Sequence, residues 1–402
     1  MRVIWATRHL PHRGVGGGAL AEWELIRAVS RTNEIVVVSG GTPPGSAVAE
    51  LEALGVRCEG VAWSRRHLPP TRLQLVAHLA GGAAPVAVWE VEPCAAALAG
   101  AVADLQRRWA ADLVQIWPGE MATVAAVAEA PSALLLADCY TRQARRERAA
   151  ATALRHRLMW SLEARKAERW ERRVYRGASA VACVSPVDAE ALTALVDRPI
   201  DVVPLPVGEE WFAPADVARG EDVVFVGALD YRPNVDAVEY LATGIWPKVR
   251  EALPGVRLHI VGSNPVQAVR DAAARCGAEV HANVADVRAW YWSAAVAISP
   301  VRLGSGTRNK ILHALACQAP LVATAASVEG IGCVHGEDLL VADDAASFAT
   351  AVVRSLTDRP AAEARAARGA LVASRYRAEH AGVVLERFWA AAGRGDRCES
   401  SS

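Results

Sequence analysis

Short runs of strand-forming residues, apolar on both faces, recur along this chain between longer stretches of helical periodicity. The alternation is interrupted once and then starts again. In the first half the strand candidates are residues 3–7, 35–38, 55–61, 113–116, 133–137 and 180–184. A strand that is hydrophobic on both faces must be covered on both faces, which calls for a parallel sheet between two layers of helices. Residues 142–176 contain neither Pro nor Gly and read as one or two long helices. Pro204, Pro206, Gly208, Pro214 and Gly220 then punctuate a segment without periodicity, the composition of a linker. Beyond it, strand candidates at 222–226, 256–261, near 280, 295–299, 320–323 and 339–342 alternate with helices at 235–251, 266–276, 285–294 and 308–317.

The expected architecture is α/β, with two Rossmann-like domains facing across a cleft. The first spans 1–203, a linker 204–220, and the second domain 221–375. Residues 376–402 read as a helix able to fold back onto the first domain, followed by a frayed tail. The length agrees, because 402 residues exceed what one hydrophobic core usually serves. In such folds ligands collect at the carboxyl ends of the strands.

Composition excludes several partners. Lys plus Arg equals Asp plus Glu at 44 each, so no global field draws the chain to nucleic acid. The basic stretch TRQARRER at 141–148 reads either as a solvated helix face or as a surface for a membrane or an acidic acceptor. The eight cysteines lie far apart, with no CxxC and no His/Cys spacing suited to zinc. No metal ligands are expected, and the thiols suit a reducing cytoplasm. The opening MRVIWAT reads as a strand rather than a secretory leader, and no uninterrupted apolar run reaches membrane-spanning length. Peripheral membrane contact stays open.

The chemistry concentrates in RLGSGTRNKILHA at 302–314. A strand ends at Ser299-Pro300, a loop carries Gly304 and Gly306, and a helix is expected to begin near Thr307, capped by Ser305 or Thr307. First-turn amides of such a helix suit a phosphate-sized anion. Arg302, Arg308 and Lys310 stand at this helix start, where each cation opposes the macrodipole by about 0.3–1 kcal/mol. A bound anion would offset them; structural ion pairs to carboxylates of the other domain are the alternative. Gly306, Asn309, Lys310 and His313 share one helix side by their spacing, opposite Ile311, Leu312 and Leu315. That stripe is expected to face the ligand.

In the first domain a glycine loop, Gly14, Gly16, Gly17 and Gly18, precedes a helix. With His12 beside it, the loop holds more glycines than one turn needs, although a plain surface loop explains His9 and His12 as well. Asp138 follows the strand at 133–137, where a helix cap is expected. Trp117 and Trp211 read as packing residues among 13 tryptophans.

The run VRLGSGTRNKILHALACQAPLVAT resembles the donor segment of the large retaining glycosyltransferase family 4, or group 1, of GT-B fold. It is most similar to a sub-branch carrying a Gly-Ser-Gly-Thr-Arg-Asn-Lys motif. Residues 225–236, the SVEGI run at 327–331 and GEDLLVAD at 336–343 resemble further parts of the same domain. The likeness is good over 222–375 and weak over 1–200. It implies a glycosyltransferase that takes a nucleoside diphosphate sugar, needs no obligatory cofactor, and hands the sugar with retention to an acceptor hydroxyl that the sequence does not identify. It implies Arg308, Lys310 and Asp138 as catalytic residues. It implies Gly227, Gly304, Ser305, Gly306, Thr307, Asn309, His313, Glu329 and Gly330 around the donor. It implies a phosphate or acceptor loop at Gly16, Gly17 and Gly18, with His12.

Two departures stand out. The family usually has two Glu residues with seven residues between them, where this chain has Ser305 and His313. The second commonly serves the ribose, which a His bonds less well than a bidentate carboxylate. Many members place a basic pair at the end of the first strand of this domain, where this chain reads Ala228 and Asn234. Arg308 and Lys310, with Arg232, must then hold the diphosphate. The rivals are a GT-B sugar-nucleotide epimerase and an inactive homologue that supports a partner.

Overall fold

The computed structural model describes residues 1–13, 17–67, 84–213, 217–304 and 306–394. The chain divides into two compact units, Met1–Leu205 with Glu379–Ser402, and Pro206–Ala378.

The first unit is built on a seven-stranded parallel sheet in the order β3-β2-β1-β4-β5-β6-β7. The central strands are β1 (Arg2–Thr7), β2 (Glu34–Gly40), β4 (Leu113–Trp117) and β5 (Ser132–Leu136). Ile4 lies level with Val36 on one side and Val114 on the other, and all three are buried. The outer strands are β3 (Arg57–Val61), β6 (Ala180–Cys183) and β7 (Asp201–Val202). The stretch 142–176 forms two helices, Tyr140–Ala150 and Leu154–Tyr175.

Among the described residues one helix, Val86–Arg108, is long and apolar enough to cross a membrane by length and composition, although Glu90, Glu92 and Asp104 interrupt its apolar run. Its Val88, Val91, Cys94, Leu98, Val102 and Leu105 are buried in the core of this unit, as in a soluble core helix. The basic stretch lies within the helix Tyr140–Ala150. There Arg142 pairs with buried Asp188 at 2.9 Å and Arg145 with Glu168 at 3.0 Å.

The last helix, Ala378–Arg394, belongs with this unit. Ala381, Leu385, Phe388, Trp389 and Ala392 form its buried stripe, at the spacing of one helix face. Trp389 sits edge-on to Trp5 at 6.1 Å, and its Nε1 donates to Gln115 Oε1 at 2.6 Å. Gln115 is fully buried in β4, so this bond satisfies a polar group that water cannot reach.

The second unit holds a six-stranded parallel sheet in the order β10-β9-β8-β11-β12-β13. The strands are β8 (Val223–Val226), β9 (Leu258–Gly262), β10 (Glu279–Ala282), β11 (Val296–Ser299), β12 (Leu321–Ala323) and β13 (Leu340–Val341). The chain winds one way from β8 to β9 and β10 and returns to the other side at β11. Pairing of β8 with β11 therefore marks the switch point, where the loops after two neighbouring strands diverge. Phe225, Ile260, Ile298, Trp246 and Phe348 lie at the centre of its core.

Residues 204–213 are more structured than a bare linker. Val207 bridges to Arg377, and Glu209–Trp211 form a short 3-10 turn. Trp211 is buried, and Arg377 covers the Phe212 ring at 4.0 Å.

Candidate functional site

The switch point of the second sheet collects most of the residues singled out in 302–314. β8 ends at Val226, and Gly227 and Ala228 follow. β11 ends at Ser299, and the loop that follows leads to the helix Asn309–Ala316. Gly304 and Gly306 both have positive φ, 90° and 77°, which keeps the chain out of the helix until after them. The helix therefore starts later than its sequence suggests. Its N-cap is Arg308, with no side-chain cap, so Thr307 does not cap it. Ser305 lies outside the described residues.

Lys310 is the centre of this arrangement. Its Nζ donates to Asn234 Oδ1 at 2.6 Å and lies 4.5 Å from the Phe225 ring centroid. Asn234 is buried, and its own Nδ2 donates to Ala228 O at 2.8 Å. That second bond turns the amide so that its oxygen faces the ammonium. A Cβ added to Gly227 would lie 2.8 Å from both Asn234 Nδ2 and Lys310 Nζ, so the glycine makes the space the ammonium uses. Burial, with Arg308 nearby, lowers the Lys310 ammonium to a pKa of about 7. A negative charge beside it would reverse that shift.

Arg308 folds back over the loop. Its Nη2 donates to Leu303 O at 2.8 Å, and a Cβ on Gly304 would lie 3.3 Å from that nitrogen. Gly227, Gly304, Asn309, Arg308 and Lys310 are thus gathered at one strand end, with Gly306 and Thr307 on the connecting loop. Arg302 does something else. It forms a two-pronged pair with Asp236, at 2.8 and 3.2 Å, and covers Tyr240 at 4.0 Å. Its carboxylate partner lies in its own unit, not in the other domain.

His313 also departs from expectation. Within the polar stripe predicted for ligand contact it has a protein partner, being buried and stacked flat on Trp211 at 3.6 Å with 9° between the rings. Sequence spacing cannot reveal a partner 102 positions earlier, contributed by the connecting segment. Burial lowers the imidazole to a pKa of about 3 from 6.5. The unfolded chain takes up this proton below 6.5 and the folded chain refuses it until about 3, so folding is progressively opposed as pH falls through that window. Replacing His313 by Gln is expected to flatten the acid dependence of stability between pH 6 and 4, read from urea midpoints by circular dichroism. An unchanged dependence would sink this assignment.

Glu329 and Gly330 follow the four-residue helix Ala325–Val328, after β12. Glu329 is its C-cap residue, and Gly330 adopts φ 75°. The Tyr376 hydroxyl lies 3.4 Å from Gly330 O and donates to Ile331 O at 3.1 Å. The pair therefore stands at the end of a neighbouring strand, with no bond to Lys310 among those described.

The remaining candidates belong to the first unit. His12 follows β1 and is half-buried. Gly17 is the N-cap of the helix Gly18–Val29, with φ 70° and ψ −128°, a conformation that only glycine holds without strain. Gly18 has open space where a Cβ would stand, and Gly14 and Gly16 lie outside the described residues. Asp138 is half-buried after β5. It precedes Cys139, the N-cap residue of Tyr140–Ala150. Glu171 serves that helix, accepting from the Tyr140 and Thr141 amides at 2.7 and 3.1 Å. Glu22 is a buried carboxyl that the sequence reading missed. It takes bonds from Trp5 Nε1 at 2.6 Å and Thr7 Oγ1 at 3.0 Å, and burial raises its pKa to about 8.

Residues 220–358 match the family model described as glycosyl transferases group 1. No curated protein matches the chain. Among solved structures, HepE of Anabaena in complex with UDP-glucose is similar at a TM-score of 0.66 and 15% identity, covering 96% of this chain and 99% of that one. Sucrose-phosphate synthase from Thermosynechococcus elongatus gives a TM-score of 0.70 at 14% identity, covering 97% and 98%. A trehalose-6-phosphate structure from E. coli, bound with UDP-2-fluoro glucose, gives 0.63 at 12%, covering 97% and 99%. At these identities the likeness establishes the fold, which is GT-B.

Proposed function

We propose that this GT-B glycosyltransferase, whose second unit carries the group 1 domain, binds a nucleoside diphosphate sugar with its diphosphate against Lys310, Arg308 and the loop at 303–310. The sugar passes to an acceptor hydroxyl with retention of configuration. The observation that carries the reading is the Lys310 ammonium at the shared end of β8 and β11, held by Asn234 where other members of the family place basic residues. As the bond from sugar to phosphate breaks, negative charge grows on the departing diphosphate. A preorganised cation there stabilises the transition state more than the ground state. Arg308, on the same loop, adds a planar donor set suited to phosphate oxygens. Gly227, Gly304 and Gly306 keep the backbone free of side chains where the donor approaches.

Glu329 and Gly330 are assigned to the sugar side of the donor, His12, Gly17 and Gly18 to an acceptor or phosphate loop, and Asp138 to catalysis. His313 is assigned to packing beneath the ribose rather than to bonding it, given its stack on Trp211. Similar structures that hold UDP-glucose and UDP-2-fluoro glucose support uridine as the first base to test. Buried free thiols such as Cys94, Cys139 and Cys183 support a cytoplasmic location.

The test is a donor screen by thermal shift followed by product analysis with mixed acceptors. UDP or a UDP-sugar is expected to raise the unfolding temperature, since ligand at 100 times its Kd adds about 2.7 kcal/mol. Sugar is expected to leave the donor only when an acceptor is present. Turnover without any acceptor would point to an epimerase, and no shift with any nucleotide would contradict donor binding.

A further inference from the structure

The sheet of the second unit carries another constellation, at the other end of its strands. Register places Glu279 of β10 level with His259 of β9, and His281 two residues further along the edge strand. Side chains at i and i+2 share one face of a strand. The result brings three metal-ligand atoms together. His259 Nδ1 and His281 Nε2 are 3.0 Å apart, and Glu279 Oε2 lies 3.6 Å from the first and 3.7 Å from the second.

Those three distances define a triangle whose corners are all about 2.0 Å from one central point, which matches zinc–nitrogen and zinc–carboxylate distances of about 2.0–2.2 Å. A tetrahedral ion near that point keeps a fourth position for water.

The surroundings suit a ligand histidine. His259 Nε2 lies 3.2 Å from Asp222 Oδ2. A carboxylate only accepts, so that nitrogen carries the proton and Nδ1 presents its lone pair to the cluster. Metal-binding histidines are generally oriented by such an outer carboxylate. Arg257 holds Asp222 in turn, at 2.7 and 3.2 Å. Trp290 packs beside His281 at 4.2 Å, while Glu279 is half exposed and leaves a path from solvent. Without an ion, the close approach of the two rings is a single hydrogen bond between imidazoles, with the Glu279 carboxylate beside both.

We propose that His259, Glu279 and His281 bind a divalent transition ion of the zinc class. The site is separate from the Lys310 site. His259 pairs with Val224 near the start of β8, whereas Gly227 and Lys310 lie beyond its end. An ion there clips edge strand β10 to β9 and, through Asp222, to the start of β8. The sequence hides it because 19 residues separate His259 from Glu279, and parallel register alone closes the gap.

The test uses untagged full-length protein stripped with chelator and then titrated with Zn2+ by calorimetry and with Co2+ by visible absorption. One ion per chain is expected, with the intense ligand-field bands of a four-coordinate Co2+ and a higher unfolding temperature in Zn2+. Asp222→Asn is expected to weaken Zn2+ binding by about 10–100-fold, as loss of an outer carboxylate generally does. Glu279→Gln and His281→Ala are expected to weaken it further and to remove the Co2+ bands. Glu279 is half exposed, so its variant folds and keeps the test sharp. Absence of saturable binding to the wild type would overturn the proposal. So would Zn2+ affinity unchanged in both Glu279→Gln and His281→Ala.

Discussion

Replacing Lys310 by Ala is expected to lower kcat/KM for the donor by about 10²–10³-fold, the usual cost of removing one preorganised group that faces developing charge. The stability of the ligand-free protein is not expected to fall with it. In the free site the ammonium is held at a pKa of about 7 by burial and Arg308, so the charged form is strained there. Unfolded, the same group holds its proton to about 10.5. The unfolded chain therefore binds more protons between pH 7 and 10.5, and stability gains with rising pH across that window. Lys310→Ala removes that gain.

Donor binding carries the opposite sign. A bound diphosphate favours the ammonium, so binding above pH 7 takes up a proton and affinity declines as pH rises from 7 to 9. Calorimetry of UDP in buffers of different ionisation enthalpy reads that uptake directly. A variant with kcat/KM within threefold of the wild type would remove Lys310 from the reaction.

The second large effect is structural. Gly262→Ala is expected to destabilise the second unit by about 3 kcal/mol, the upper range for overpacking, and to abolish donor binding with it. A Cβ at Gly262 would stand 1.7 Å from Gly227 O and 2.8 Å from Gly227 C. Those are backbone atoms, and no side-chain rotation relieves them. Gly227 N donates to Val261 O at 3.0 Å, so the two strand ends are tied at the point of conflict. If β8 yields, Gly227 moves, and with it the space beside Asn234 and Lys310. Gly255→Ala is the control, since that exposed glycine has nothing within 4 Å. Urea midpoints separate the two variants. Equal midpoints with donor binding retained would contradict the close approach of Gly262 to Gly227 at the ends of β9 and β8.

How much of this was readable in the sequence depends on where each partner sits. The central strands announce themselves as runs such as IVVV at 35–38, because a strand covered on both faces needs no polar residue. The edge strand Asp201–Val202 gives no such signal, as both of its residues are exposed. The glycines at 304 and 306 signalled a loop against a helix start, but not that their positive φ would delay the helix to Asn309.

Long-range partners were the unreadable part. Asn234 and Lys310 lie 76 positions apart and meet only because β8 neighbours β11. Arg302 finds Asp236 for the same reason, which converts one of three apparent anion-binding cations into an ion pair. Trp211 comes from a stretch with the composition of a linker and covers His313, which helix spacing had assigned to the ligand. Helix periodicity tells which residues share a face, but not what the fold lays on that face.

The central claim is that the donor diphosphate sits on the loop and helix start at 303–310. Amide hydrogen exchange with and without saturating UDP tests it most directly. The account predicts that protection gained on binding concentrates in peptides covering 303–314 and the segment after β8, near 227–234. UDP binding that leaves 303–314 unprotected, with protection appearing only in the first unit, would contradict it.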